Sequence, residues 1–193
     1  APHYFNTSKS VGDEEQIVEE NRDAFYAYFG LTKNQIALQK QEHTDIVTIV
    51  KEPGFVGESD AMITNIPNIG IIVSTADCGN IYIFDQSKKV IAGIHSGWRG
   101  TQKRIVEKTI TKMKDVYGCT PSDFVVYIGP AISKKHFEVK EDVAELFDEQ
   151  YIIYRDGKIY VDLIRMNFDM IVGQGVQKKN VQKSNLCSYN EEN

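Results

Sequence analysis

Residues 81–85, IYIFD, and 89–95, KVIAGIH, are separated only by Gln86, Ser87 and Lys88. Two runs rich in β-branched and aromatic residues across so short a polar gap make a β-hairpin. In the absence of a bulge, residues whose numbers sum to about 174–175 face one another. His95 then stands opposite residue 79 or 80, at the open end of the hairpin and close to Cys78. Strands need neither residue for their own sake. A thiolate and an imidazole brought together there are good ligands for Zn²⁺. His43, in the Gln41-Glu42-His43 run of an earlier extended segment, is a candidate third ligand.

Three protein ligands leave one position open, the usual form of a catalytic zinc, whereas a structural zinc is closed by four. A metal so held polarises a substrate oxygen or acidifies a water. Asp77 and Asp45 are candidates for a base or for carboxylate partners of a ligand histidine. Blander readings stand beside this one. Free cysteine is commonly a small buried hydrophobe, the reading given to Cys119, and His3 and His136 read as ordinary side chains. No zinc-ribbon spacing is present.

The second strand runs into HSGWRGT, residues 95–101. Gly97 and Gly100 flank Trp98-Arg99, and from Thr101 to Gly118 Ile105, Val106, Ile110, Met113 and Tyr117 recur at helical spacing. Glycines there let the backbone approach a ligand, a helix start favours an anion, and Arg99 offers a bidentate fork. Trp98 either stacks on a planar base or plugs the core, and the core is the safer reading. The pattern is a common one and marks an anion site, nothing more specific.

Elsewhere, residues 13–29 read as an amphipathic helix capped by Asp13, with Gln16 at the capping-box position and Gly30 at its end. Its stripe is Ile17, Val18, Asn21, Ala24, Phe25 and Tyr28. Residues 36–50 and 61–64 read as extended, and the run 69–78 as a strand buried on both faces. A further strand precedes Pro130, and helices are expected over 139–148 and 162–173. Consecutive strands flanked by helices indicate a single mixed α+β domain over 1–193, with mixed β-sheets, rather than a doubly wound array.

Composition excludes several classes. The 193 residues are 41% hydrophobic and 25% charged, with a formal net charge of -5, so no basic stripe is available to neutralise nucleic-acid phosphates. Lys178, Lys179 and Lys183 cluster, but Glu191 and Glu192 follow. No stretch approaches the roughly 20 apolar residues of a membrane span, and no signal-peptide pattern opens the chain. Three scattered cysteines fit a reducing compartment, which makes the expected location cytoplasmic.

TADC (75–78), IHSGWRG (94–100) and YIGPAI (127–132) together resemble the purine nucleoside phosphorylase/polyphenol oxidase family, the laccase-domain or YfiH-type proteins. QEH (41–43), VGDEEQIVEENR (11–22), DLIRMN (162–167) and NLCSY (185–189) are similar to further family segments, in order along nearly the whole chain. The resemblance implies a YfiH-like layered fold and a metal held by His43, Cys78 and His95. It implies zinc-dependent phosphorolysis of purine nucleosides and deamination of adenosine; read with the loop chemistry above, Cys78, Asp77 and Arg99 are the expected catalytic residues. Gly97, Arg99 and Gly100 would bind the anion. The expected partners are a purine nucleoside and phosphate. Alternatives are a copper polyphenol oxidase, a hydrolase editing peptidoglycan precursors, and a nucleoside- or metal-binding protein of weak turnover. Departures from the pattern are Asn80, where the family usually has proline, and His136-Phe137, where it has Cys-Tyr. The chain also ends at Asn193, where relatives continue with an arginine-bearing segment, and the N-terminal arginine stretch is shortened to NTSKS.

Overall fold

Cross-strand pairing of the two apolar runs builds the middle of the molecule. A computed structural model describes residues 5–9 and 12–189; His3, Glu191 and Glu192 lie outside them. The chain opens with α1 (Glu15–Tyr28), β1 (Ile36–Lys40) and β2 (Val47–Ile49). β3 (Gly54–Glu58), β4 (Ala61–Thr64) and the short β5 (Gly70–Ile71) lead to the hairpin, β6 (Gly79–Asp85) and β7 (Val90–Ser96). α2 (Trp98–Gln102), α3 (Ile105–Tyr117) and β8 (Phe124–Ile128) follow. The last third holds β9 (Glu138–Val139), α4 (Glu141–Ala144), β10 (Ile152–Arg155), β11 (Lys158–Val161), α5 (Leu163–Gly173) and β12 (Val181–Lys183).

The architecture is mixed α+β, as expected. A six-stranded sheet runs in the order β12-β8-β6-β7-β4-β2, beside three-stranded sheets β3-β1-β5 and β10-β11-β9. Asn80 faces His95 and Asp85 faces Val90, so the pairing sum is 175, within the expected register. The turn is held by Asp85, whose Oδ1 accepts the Ser87 N–H at 2.9 Å and the Lys88 N–H at 2.8 Å. Side chains alternate across the sheet as the pleat requires. Ile81, Ile83, Ile94, Phe124, Val126 and Ile128 point to one face, where Ile105, Ile110 and Met113 of α3 and Ile171 of α5 cover them. Tyr82, Phe84, Val125 and Tyr127 point to the other, and with Phe25, Phe29 and Leu31 they line an apolar hollow of about 800 Å³.

Several local expectations are corrected. His43 is not on a strand: residues 41–46 form a loop between β1 and β2. The run 69–78 is not a doubly buried strand; only Gly70–Ile71 pairs, with β1, and Ile71 and Val73 then lie over Gly93, where a Cβ would stand 3.0 Å from Val73 Cγ2. The helix expected from Thr101 begins at Trp98 and is interrupted at Arg104, whose φ of +62° starts a new helix. Only Glu141–Ala144 is α-helical within 139–148. Asp13 does not cap α1, whose N-cap is Glu14, and Gln16 bonds Glu20 instead. α1 buries Val18 and Tyr26, while Ile17, Phe25 and Tyr28 stay exposed. Missed altogether was the β10–β11 hairpin, which turns on Asp156 (φ +50°) and Gly157 (φ +73°). An Asp-Gly pair between apolar runs is the standard signal for such a turn.

One buried polar network fixes where the hairpin ends. Asn167 on α5 accepts the Ser96 hydroxyl at 2.9 Å and donates to Thr101 Oγ1 at 3.2 Å and the Leu163 carbonyl at 2.9 Å. Strand β7, α2 and α5 are thereby joined at the residue after His95. Replacing Asn167 by leucine keeps the volume but strips buried hydroxyls of a partner, a loss of roughly 1–3 kcal/mol. Urea unfolding of Asn167→Leu is expected to show that drop as a lower midpoint at unchanged slope. An unchanged midpoint would mean that the network contributes nothing.

Candidate metal centre

The three expected ligands converge. The ligand atoms of His43, Cys78 and His95 lie within 4.8 Å of one another. Cys78 Sγ is 3.7 Å from His43 Nε2, and the two imidazole rings meet edge-to-face with centroids 4.8 Å apart. Each ligand arrives by a different route. His95 is buried on β7, placed by pairing with Asn80 on one side and by the run of β4 on the other. Cys78 immediately precedes β6, after Asp77, whose φ is +75°. His43 sits in the 41–46 loop at φ +55° and is exposed. Left-handed backbone at two non-glycine residues of one site persists only where the surroundings over-determine it.

What over-determines His43 is Asp60, the residue immediately before β4. Its carboxylate is fully buried. It accepts the successive backbone N–H groups of Glu42 (3.3 Å), His43 (3.1 Å) and Thr44 (2.6 Å), and the Thr44 hydroxyl at 2.6 Å. The same carboxylate receives His95 Nδ1 at 2.7 Å, which turns Nε2 toward Cys78 and His43. Burial alone would raise the Asp60 pKa, but the bonds from His95 and Thr44 outweigh it and hold the group down to about 2. Burial likewise lowers His95, and the bonds to Asp60 and Cys78 overcome that and lift it to about 9.

Asp45 and Asp77, the two carboxylates expected to support a ligand, are engaged elsewhere. Asp45 pairs with Lys108 and Lys103. Asp77 accepts the Ser188 hydroxyl at 2.6 Å, and its carbonyl accepts the Ile132 N–H at 2.8 Å. Both contacts hold the loop before Cys78. The carboxylate behind His95 is Asp60, and a rigid orienting acceptor behind the imidazole is what a metal-binding histidine needs.

The glycines make room for the site itself. A Cβ on Gly97 would stand 2.7 Å from His43 Cδ2 and 3.1 Å from Cys78 Sγ, and one on Gly100 would stand 3.2 Å from the Thr44 carbonyl. Gly97 is the N-cap of α2, with no side chain closing that end. Arg99 is exposed and stacks on Trp98, 4.3 Å from the ring centroid. Trp98 packs in turn on the cluster of Phe147, Tyr151, Leu163 and Met166, the core role expected for it. The donor set fits a metal: one thiolate and two imidazoles suit a borderline-soft ion, held in a cradle that only glycine at 97 leaves open.

Comparisons with known proteins place the chain in a family. The model of the family described as multi-copper polyphenol oxidoreductase laccase matches residues 2–193, and the chain belongs to that family. A purine nucleoside phosphorylase of Bacteroides thetaiotaomicron is 31% identical over 96% of this chain and 75% of its own length. A purine nucleoside phosphorylase of Clostridium acetobutylicum is 38% identical over 77% of this chain and 64% of its own length. A protein named adenosine deaminase RL5, from an unknown prokaryote, is 28% identical over 95% of this chain and 76% of its own. In fold, the chain is similar to the crystal structure of hypothetical protein YfiH of Bacillus licheniformis. The TM-score is 0.89 at 23% identity, over 95% of this chain and 76% of that one.

The Asp60–His95 pair gives the metal-free protein a defined pH dependence. Protonated His95, raised to about 9 from 6.5, contributes stability that is complete below 6.5 and lost as pH rises through 9. Ionised Asp60, lowered to about 2 from 3.8, contributes stability that is present above 3.8 and lost as pH falls through 2. Thermal midpoints of chelator-treated protein are expected to decline from about pH 6.5 to about 9, and His95→Gln should remove that decline. A wild-type midpoint that stays flat across the window contradicts the ion pair.

Proposed function

We propose that this chain is a zinc-dependent purine nucleoside phosphorylase that splits adenosine or inosine with phosphate into base and ribose 1-phosphate. Deamination of adenosine is a companion activity of the same centre. The convergence of His43, Cys78 and His95 behind Gly97 carries the reading, and the names of its relatives support it.

When bound, zinc supplies a Lewis acid beside the substrate oxygens. The rest is the work of the chain's own side chains. Asp60 holds the proton on His95 Nδ1 and keeps the 42–44 loop in place. Arg99, exposed at the start of α2 and braced by Trp98, grips phosphate or ribose oxygens. Gly97 leaves the cluster open. Asp77 lines the loop beside Cys78, where its carboxylate can orient a substrate hydroxyl while Ser188 steadies it.

The family description favours a second reading, copper-dependent oxidation of phenols. Among the described residues one cluster of three or more metal-ligating side chains is present, and its thiolate suits zinc well.

Three measurements test the proposal. Purified protein is expected to carry close to one zinc, and Cys78→Ser and His95→Ala to lose most of it. Asp60→Asn should lower zinc affinity by about 10–100-fold. Equal zinc in wild type and all variants would remove the ligand assignment. Adenosine incubated with zinc-loaded protein should yield adenine and ribose 1-phosphate at a rate that rises with phosphate. Inosine formed at a rate indifferent to phosphate would make deamination the main activity. A phenol oxidised only by copper-loaded protein, with nucleosides untouched, would establish the second reading. Arg99→Lys keeps the charge but loses the fork. It should cut turnover by about tenfold or more while stability changes by no more than about 0.5 kcal/mol.

A further inference from the structure

Beyond the Asp77–Cys78 loop, the last described segment brings a second thiol against an imidazole. Cys187 forms an isolated parallel bridge with Ala131, which seats its side chain against the turn that follows. There Sγ lies 3.4 Å from His136 Nδ1 and accepts the Ser133 backbone N–H at 3.3 Å. The Ser133 hydroxyl is 3.5 Å from the same His136 nitrogen. Tyr189 stacks on the imidazole, with centroids 4.5 Å apart and planes inclined by 16°. The metal centre uses none of these groups.

We propose that Cys187 is a peroxide-sensitive thiol, with His136 as its proton acceptor and small hydroperoxides as its oxidant. The contrast with Cys119 shows why burial alone does not decide reactivity. The two are similarly buried, at 8% and 5% exposure. Burial and the neighbouring Asp85 carboxylate push the Cys119 thiol up to about 12. Burial pushes Cys187 up as well, but hydrogen bonds from Ser133, His136 and the Tyr189 backbone outweigh it and hold the thiol well below its ordinary value. An N–H donor and an imidazole beside sulfur favour the thiolate, which is the nucleophile. Cys187 is itself 8% exposed, and a hydroperoxide is the smallest oxidant able to reach a thiol so placed.

The chemistry balances without any other reactant. Cys187 passes its proton to His136, the thiolate attacks one peroxide oxygen, and the O–O bond breaks. The departing hydroxide takes the proton back from His136 as water, and sulfur, oxidised by two electrons, is left as the sulfenic acid. The modified residue adjoins Ser188, whose hydroxyl holds Asp77 and with it the loop before Cys78.

The test is competitive labelling of the full chain, metal-loaded, with limiting hydrogen peroxide and dimedone, followed by peptide mass mapping. Cys187 is expected to be trapped at least about tenfold faster than Cys119. His136→Asn should slow the trapping at Cys187 by about tenfold, with the circular dichroism spectrum unchanged. If that variant loses its fold, His136→Phe, which keeps a ring against Tyr189, makes the same comparison. Cys187 labelled no faster than Cys119, or at the same rate without His136, would overturn the proposal.

Discussion

A carboxylate taken out of water without partners would take up a proton or leave the core. Asp60 does neither, because its side chain gathers three consecutive backbone N–H groups, a hydroxyl and an imidazole. Its own backbone is stitched just as firmly. The Asp60 N–H donates to the Ile46 carbonyl at 3.1 Å, and its carbonyl accepts the His95 N–H at 2.7 Å. One residue therefore ties the loop carrying His43 to the strand carrying His95. Successive N–H groups aimed at one anion form a nest, and here the anion is supplied from within the chain. Because β4 pairs with β7 from Ala61 opposite Ile94, the register of the six-stranded sheet decides that Asp60 lies beside His95.

The third candidate ligand depends on a different set of restraints. Cys78 follows a residue at φ +75°, a conformation that costs an L-residue of order 1 kcal/mol or more. The Ile132 N–H and the Ser188 hydroxyl, bound to Asp77, compensate. Asn80 adds a tie two residues on, donating to the Pro130 carbonyl at 2.8 Å. A Cβ on Gly129 would stand 1.8 Å from its side-chain oxygen, so glycine at 129 is what lets asparagine occupy this place. The segments near 130 and 188 are remote in sequence from the ligands but hold one of them.

How much of this was legible in the sequence follows from the range of each interaction. The hairpin register depends on two adjacent runs and a three-residue gap, so the meeting of Cys78 and His95 could be read directly. His43 stood as a candidate from its Gln-Glu-His run, and the family resemblance implied it again, but its loop is invisible to periodicity because it is shaped by a carboxylate some 17 residues further on. Asp60 itself gave no signal, since Ser-Asp before an apolar run looks like any strand entry. The left-handed break at Arg104 was equally hidden: Ile105, Val106, Ile110 and Met113 keep helical spacing through α3, and nothing local marks where α2 stops. The Asp156-Gly157 hairpin is another case, a signal that was present and went unread.

The three cysteines show how far surroundings, and not residue type, assign chemistry in this chain. Cys119 is enclosed by core side chains and faces an anion, so its proton stays on and it behaves as a small apolar filler. Cys78, half-buried, meets two imidazoles, a donor set that a soft cation would fit. Cys187 meets one imidazole and the backbone of Ser133 and Tyr189, which favour a thiolate while offering a single metal-ligating side chain. The kind of group within reach of sulfur separates the three fates: a carboxylate at Cys119, two imidazoles at Cys78, one imidazole with backbone N–H groups at Cys187. In each case the neighbours are set by where the backbone places sulfur: Cys78 immediately before β6, Cys187 against the residue three beyond β8, and Cys119 two residues past the end of α3.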